Sequence, residues 1–171
     1  MKIEILRLSH RLPRDSRTTT HVALTARALG ASKMYYSGQH DSEMESGIIK
    51  VVDSFGGIFN IEYVDSEIKL SRQLKKEGFK IINLTMYGEF FDSNKVKDIK
   101  SFDKLLIIVG SEKVEGKFYD IADINLSITS QPISEVSALG ILLYEVNGIK
   151  DIDGKIKIIP NKKGKTIINK K

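Results

Sequence analysis

The run Leu105-Leu106-Ile107-Ile108-Val109 is apolar on both faces of an extended chain. A strand with one wet face alternates, whereas a central parallel strand, covered by helices on both sides, reads as a continuous hydrophobic run. Upstream, the same logic gives strands over 2–8, 33–37, 58–64 and 79–85, the last followed by a turn at Met86-Tyr87-Gly88. Between them lie amphipathic stretches with stop signals. One helix spans 21–29, with Thr18–Thr20 as cap hydroxyls and Gly30 past its end; Asp41 opens another that stops at Gly56-Gly57, and Ser66 a third that stops at Gly78. A short helix near 94–102 leads into the central run. Downstream follow a helical stretch near 118–121, a strand over 124–128, and a helix over 134–146 that ends at Gly148. Strands alternating with helices predict an α/β domain with a mainly parallel sheet over residues 1–149. Residues 150–171 form a basic extension: two Ile-rich runs, 155–159 and 165–168, flank a Lys-rich turn and read as a β-hairpin.

The chain has 171 residues, of which 41% are hydrophobic and 29% charged, values of a globular domain and too apolar for disorder. No apolar run approaches the ~20 residues a membrane span needs. Charges interrupt the apolar residues of the opening MKIEILRLSHR, unlike a secretion signal, so a cytoplasmic protein is expected. The absence of cysteine excludes disulfides, thiolate metal sites and Cys nucleophiles. His10, His21 and His40 lack ligand spacing, and no metal is expected.

Charge is unevenly placed: residues 1–30 carry +4 and 150–171 carry +6, while the middle carries −5. Five of the six arginines (Arg7, Arg11, Arg14, Arg17 and Arg27) lie in the first block, and only Arg72 lies outside it. Guanidinium forks suit phosphate, so the N-terminal segment reads as facing a polyanion.

Nucleotide-binding motifs fail. No G-x-G-x-x-G follows the first strand. The sequence from Gly110 to Phe118 has five residues between its glycines where a P-loop has four, and Phe118 replaces the metal-binding hydroxyl; Gly164-Lys165-Thr166 has Ile159 where the first Gly belongs. G-x-S-x-G is absent, which argues against a serine hydrolase. Three loops remain, each after a predicted strand: Arg14 to His21, Gly110 to Val114, and Thr129 to Glu135. Each alone could be a turn or cap, but together they converge at one end of a parallel sheet, where a ligand crevice is expected.

These loops carry a resemblance. Arg7-Leu8-Ser9-His10-Arg11, continued by Arg14-Asp15-Ser16-Arg17-Thr18-Thr19-Thr20-His21, closely resembles the opening motif of the archaeal tRNA (cytidine-56) 2′-O-methyltransferases, of the SPOUT superfamily. Leu84-Thr85-Met86-Tyr87-Gly88, then Ile107 to Val114, then Gln131 to Leu139 look like the remaining signatures, in order. The resemblance implies a C-terminal deep trefoil knot, a homodimer packed through knot-region helices, and S-adenosylmethionine as cofactor. The reaction it implies is methyl transfer to the ribose 2′-hydroxyl of cytidine 56 in the TΨC loop of tRNA. It implies that the cofactor is held mainly by backbone groups of Leu84, of Gly110, Ser111, Glu112, Lys113 and Val114, and of Ile128, Thr129, Ser130, Gln131, Pro132, Ile133, Ser134 and Glu135.

Arg17 and Glu112 are the implied catalytic residues. Arg7, Arg11, Arg14 and Arg17, with Lys162, Lys163 and Lys165 of the hairpin, are the expected RNA contacts. Asp15 reads either as holding Arg14 or Arg17 in place or as a plain turn residue. The chain departs from the family pattern at Ile133, where His is common, and at Ser130, where Asn is; no duty of that His carries over. A non-catalytic RNA-binding module on the same fold is the alternative. The dimer has its own motive, since Val136, Leu139, Gly140, Leu142, Leu143 and Val146 give the last helix more apolar surface than one sheet face requires.

Overall fold

The computed structural model describes residues 1–110 and 114–170. Its elements are β1 (Lys2–His10), α1 (Ser16–Ala28), β2 (Lys33–Gly38), α2 (Ser42–Phe55), β3 (Asn60–Tyr63), α3 (Glu67–Lys76), β4 (Lys80–Phe90), α4 (Ser93–Lys100), β5 (Lys104–Val109), α5 (Gly116–Ile121), β6 (Ile124–Ser127) and α6 (Glu135–Asn147). The hairpin strands β7 (Ile156–Ile159) and β8 (Thr166–Asn169) come last. Six strands form one parallel sheet in the order β3-β2-β1-β5-β4-β6, and β7 pairs with β8 antiparallel in a separate ribbon.

β5 bears out the reading of its apolar run. Leu105, Ile107 and Val109 enter one core with Ile3, Ile5, Val22, Ile82, Leu139 and Leu142, beneath α1, α2 and α6. Leu106 and Ile108 enter the opposite core with Leu6, Leu74, Phe79 and Phe118, beneath α3 and α5. Burial of each such side chain contributes about 1.5–3 kcal/mol, which holds β5 between two helical layers. Asp41, Ser66, Asp92 and Ser134 cap their helices by accepting backbone amides.

Two elements differ from the sequence expectation. α1 starts at Ser16, with Asp15 as N-cap, and swallows Thr18–Thr20. Those hydroxyls do not cap. Thr19 Oγ1 meets His10 at 2.9 Å, and Thr20 Oγ1 donates to the Ser16 carbonyl. β4 does not end before a turn at 86–88. It leaves the ladder after Leu84 and rejoins it, so Leu126 faces both Leu84 and Glu89. Gly88 permits this, because a Cβ there would lie 2.5 Å from the Asn125 carbonyl.

α6 also requires a correction. Leu139, Leu142, Leu143 and Val146 are buried within the chain's own core, against α1, where Gly140 sits beside Thr25. The apolar side chains α6 leaves exposed are Ile141 and Tyr144.

Candidate active site

In a parallel sheet the loops after β1, β4, β5 and β6 emerge at the same end, so the three sequence loops converge by topology. A crevice of about 690 Å³ opens there over the ends of β4, β5 and β6. Leu84, Val109 and Leu126 form its floor. The bulge of β4 supplies Thr85, Met86 and Tyr87, and the loop before α6 supplies Ile128, Thr129, Gln131, Pro132 and Ile133. Gly110, Val114 and Glu135 complete the expected residues that line it. Ser130 and Ser134 do not line it; Ser134 caps α6 instead, accepting the Ser137 amide at 3.1 Å. Ser111, Glu112 and Lys113 lie outside the described residues. The chain is tightly packed at Gly110: a Cβ there would meet Val114 Cγ2 at 2.5 Å, so Val114 would have to move. Tyr119 of α5 also lines the crevice, and its hydroxyl lies 2.8 Å from Thr85 Oγ1. No sequence signal marked it, because its partner is 34 positions away.

Arg7 was expected at the RNA surface; the structure places it inside, 0% exposed. It projects from β1 between two crevice loops. Nη1 donates to the Gly110 carbonyl, and Nη2 to Glu135 Oε1 at 3.0 Å. Burial pushes the guanidinium pKa below its ordinary value, with Glu135 opposing that shift. Arg7 therefore clamps the start of the β5–α5 loop to the start of α6, and cannot reach an external phosphate. The residue type is right for a carboxylate fork, but sequence alone cannot show which anion it meets.

The loop after β1 is held from beneath by a buried polar cluster. His10, fully buried, has Nδ1 2.9 Å from Thr19 Oγ1 and Nε2 3.3 Å from Asp41 Oδ2. Ser16 Oγ donates to the same Asp41 oxygen at 3.0 Å. Burial raises the Asp41 pKa, but the Met44 amide, the Ser16 hydroxyl and His10 outweigh it, and the net shift is downward. Thus the cap of α2 grips both the end of β1 and the first turn of α1. Above it, Asp15 Oδ2 accepts Arg11 Nε at 2.9 Å and the Arg11 amide at 3.2 Å, so Asp15 holds Arg11, not Arg14 or Arg17. That hydrogen bond from Arg11 is the main cause lowering the Asp15 pKa.

Arg14 and Arg17 are exposed on this braced loop. Arg17 lies in the first turn of α1 and outside the crevice lining. Lys162, Lys163 and Lys165 are exposed at the far end of the hairpin. The hairpin's foot meets the body at the end of α2, where Gly154 and Gly56 pack backbone to backbone; a Cβ on Gly154 would lie 2.2 Å from the Phe55 carbonyl carbon. Among the described residues no group of His, Asp and Glu could hold a metal, and no helix is long and apolar enough to cross a membrane.

Comparison with known proteins bears on the site. The family described as "tRNA ribose 2'-O-methyltransferase, aTrm56" matches residues 55–168. A tRNA (cytidine(56)-2'-O)-methyltransferase of Nitrosopumilus maritimus is 42% identical over 98% of this chain and 96% of its own length. The enzyme of that name from Methanosphaera stadtmanae is 45% identical over 97% of this chain and 98% of its own. Among solved structures, the A. aeolicus TrmH/SpoU tRNA modifying enzyme aligns with a TM-score of 0.64 at 19% identity, over 85% of this chain and 74% of that one. AviRb from Streptomyces viridochromogenes, in complex with the cofactor AdoMet, aligns with a TM-score of 0.62 at 16% identity, over 85% of this chain and 56% of that one. At such identities these two similarities speak to the fold.

Proposed function

The chain belongs to the tRNA ribose 2′-O-methyltransferase family described as aTrm56, and from that premise we propose how it works. It methylates the ribose 2′-oxygen of cytidine 56 in tRNA, in the TΨC loop. The observation that carries the reading is the gathering of the three loops at one end of the sheet, in a chain similar to these enzymes along nearly its whole length.

The donor we assign is S-adenosylmethionine. The crevice suits it: about 690 Å³ falls within the usual ~300–1,000 Å³ of small-molecule sites, and at Gly110 the backbone itself is the wall. Leu84, Gly110, Ile128, Thr129, Gln131 and Pro132 would hold it mainly through main-chain groups, with Ser111, Glu112, Lys113, Val114, Ser130, Ile133, Ser134 and Glu135 completing the loops. When bound, it supplies a methyl group on a positively charged sulfur that departs neutral. The protein's tasks are to align the ribose oxygen with that methyl and to assist loss of its proton. Arg17 is our candidate for orienting the ribose phosphate and stabilising charge. A guanidinium offers donors and no acceptor, so it cannot take up the hydroxyl proton, which passes to phosphate or water. Glu112 is the second catalytic candidate.

Arg11, Arg14 and Arg17, with hairpin residues Lys162, Lys163 and Lys165, form the RNA-facing set, which makes 150–171 a functional extension of the 1–149 body. A homodimer is supported by the exposed pair Ile141 and Tyr144 on α6. A trefoil knot is supported by the course of α6, which leaves the edge strand β6 yet packs against α1 over the sheet's interior. The cytoplasm, where tRNA matures, is the proposed place of action.

The test is methyl incorporation from labelled donor into an unmodified tRNA transcript. A label on the ribose of cytidine 56, and none when that position is 2′-deoxycytidine, is the expected result. No incorporation, or label on a base, would overturn the assignment.

A further inference from the structure

The lone arginine outside the N-terminal block, Arg72, has so far no duty. It projects from α3 into a second groove, of about 500 Å³, between α3 and α5. Four cations line that groove, Arg72, Lys75, Lys76 and Lys117, over Ile68 and Ile121, and Asp120 is the acid among them. Two of the cations are spent locally. Lys75 Nζ donates to the Ile121 carbonyl at 2.7 Å and lies 3.4 Å from Asp123; Lys117 lies 2.9 Å from Glu115. Arg72 and Lys76 have no hydrogen bond or ion pair among the described residues, and both are exposed. They stand one helical turn apart on the same face of α3, where like charges repel. That repulsion is relieved when an anion bridges the pair.

We infer that this groove is a second contact surface for the phosphate backbone of the RNA, separate from the methyl-transfer crevice. The inference rests on the tRNA reading above and extends it to a face which that reading does not use. Its placement supports it. α5 separates the two cavities: Gly116 and Tyr119 line the crevice, while Lys117, Asp120 and Ile121 line the groove. A strand leaving the crevice crosses one helix of six residues, about 9 Å long, to reach Arg72. The apolar floor of Ile68 and Ile121 keeps the field of the cations concentrated in the groove. Arg72 offers a fork and Lys76 a point charge, and together they match successive phosphates better than a single small anion.

The experiment measures binding of a full-length tRNA transcript to the whole protein across a salt series. The double variant Arg72→Gln/Lys76→Gln removes both charges and keeps helix propensity. Each lost phosphate contact flattens the salt slope by about 0.7–0.9, so the slope should fall by about 1.5 and affinity roughly tenfold near ~0.1 M salt. S-adenosylmethionine affinity should not move. Lys69→Gln, on α3 but outside the groove, should leave tRNA affinity unchanged. The single variants Arg72→Gln and Lys76→Gln provide an independent measure if the double variant unsettles α3, and each should flatten the slope by about half as much. Unchanged affinity and slope in folded groove variants, with wild-type binding intact, would overturn the groove assignment and leave the tRNA reading standing. A wild-type protein with neither salt-dependent tRNA binding nor transfer would overturn the tRNA reading, and this one with it.

Discussion

Arg7→Met removes a buried charge while keeping an apolar stem of similar length, and its cost can be worked from the contacts. Cutting one partner from a fully buried ion pair costs about 3–5 kcal/mol. Here the Glu135 side chain retains 27% exposure and can regain water, which discounts that figure. The Gly110 carbonyl loses its Arg7 donor as well, a charge-assisted bond of about 1.5–3 kcal/mol. The expected loss is about 3 kcal/mol, or roughly 6–12 °C in Tm for a chain of this size. Because Arg7 ties together two crevice loops, S-adenosylmethionine binding by calorimetry should weaken at least tenfold at temperatures where the variant remains folded. The salt slope of tRNA binding should not change, since the guanidinium faces no solvent. Arg7→Met combined with Glu135→Leu removes both charges, and should recover much of the stability but not the cofactor affinity. A single variant within 1 kcal/mol of wild type by urea titration, with normal cofactor binding, would refute the clamp.

Arg17→Ala should bind S-adenosylmethionine normally and tRNA only slightly less well, yet transfer at least ~100-fold more slowly at saturating tRNA. Arg17→Lys should stay poor for lack of the fork. Equal single-turnover rates in variant and wild type would move the catalytic assignment elsewhere. Arg11→Ala is an unsuitable control, because Asp15 grips Arg11 and its loss would loosen the loop. Truncation after Gly154 should weaken tRNA binding and flatten its salt slope while leaving cofactor binding intact, as no core residue lies in the hairpin; unchanged tRNA affinity would reduce the hairpin to packing. The Asp15 and Asp41 carboxyls sit below their ordinary pKa, so the stability they add is full above about pH 4 and is lost as pH falls through their folded values. Asp41→Asn should lower stability at neutral pH and give a shallower acid limb in pH-dependent melting; an acid limb identical to wild type would contradict the role of Asp41 in the His10 cluster.

The parallel sheet was legible because β5 is apolar on both faces and because Gly30, Gly56 and Gly148 stop their helices where expected. Errors came where a partner is distant in sequence. Thr18–Thr20 have the chemistry of cap residues, but Thr19 is committed to His10, and Ser16 to Asp41. Met86-Tyr87-Gly88 has turn-like composition, yet the ladder with β6 recaptures β4 at the very next residue, Glu89. Arg7 reads with the surface arginines because charge arithmetic does not register that β1 is a central strand, covered on both faces. The crevice loops were readable because their Gly, Ser and Pro residues mark irregular backbone at strand ends. Tyr119 was not, because a single tyrosine in a short helix carries no periodic signal.

α1 begins in the arginine loop and carries in its last turn Arg27, which donates through Nε and Nη2 to the Gly56 carbonyl, the spot against which the foot of the hairpin packs. One uninterrupted helix thus joins the two basic regions of the chain, and ten residues of helix set Arg17 about 15 Å from Arg27 along its axis. A helix packed along its length does not stretch, so that spacing acts as a ruler. If the loop and the tail both contact RNA as proposed, α1 holds the loop and the foot of the hairpin at one fixed separation, and a folded RNA arm already holding a matching shape would lose less entropy on engaging both than a single strand free to flex.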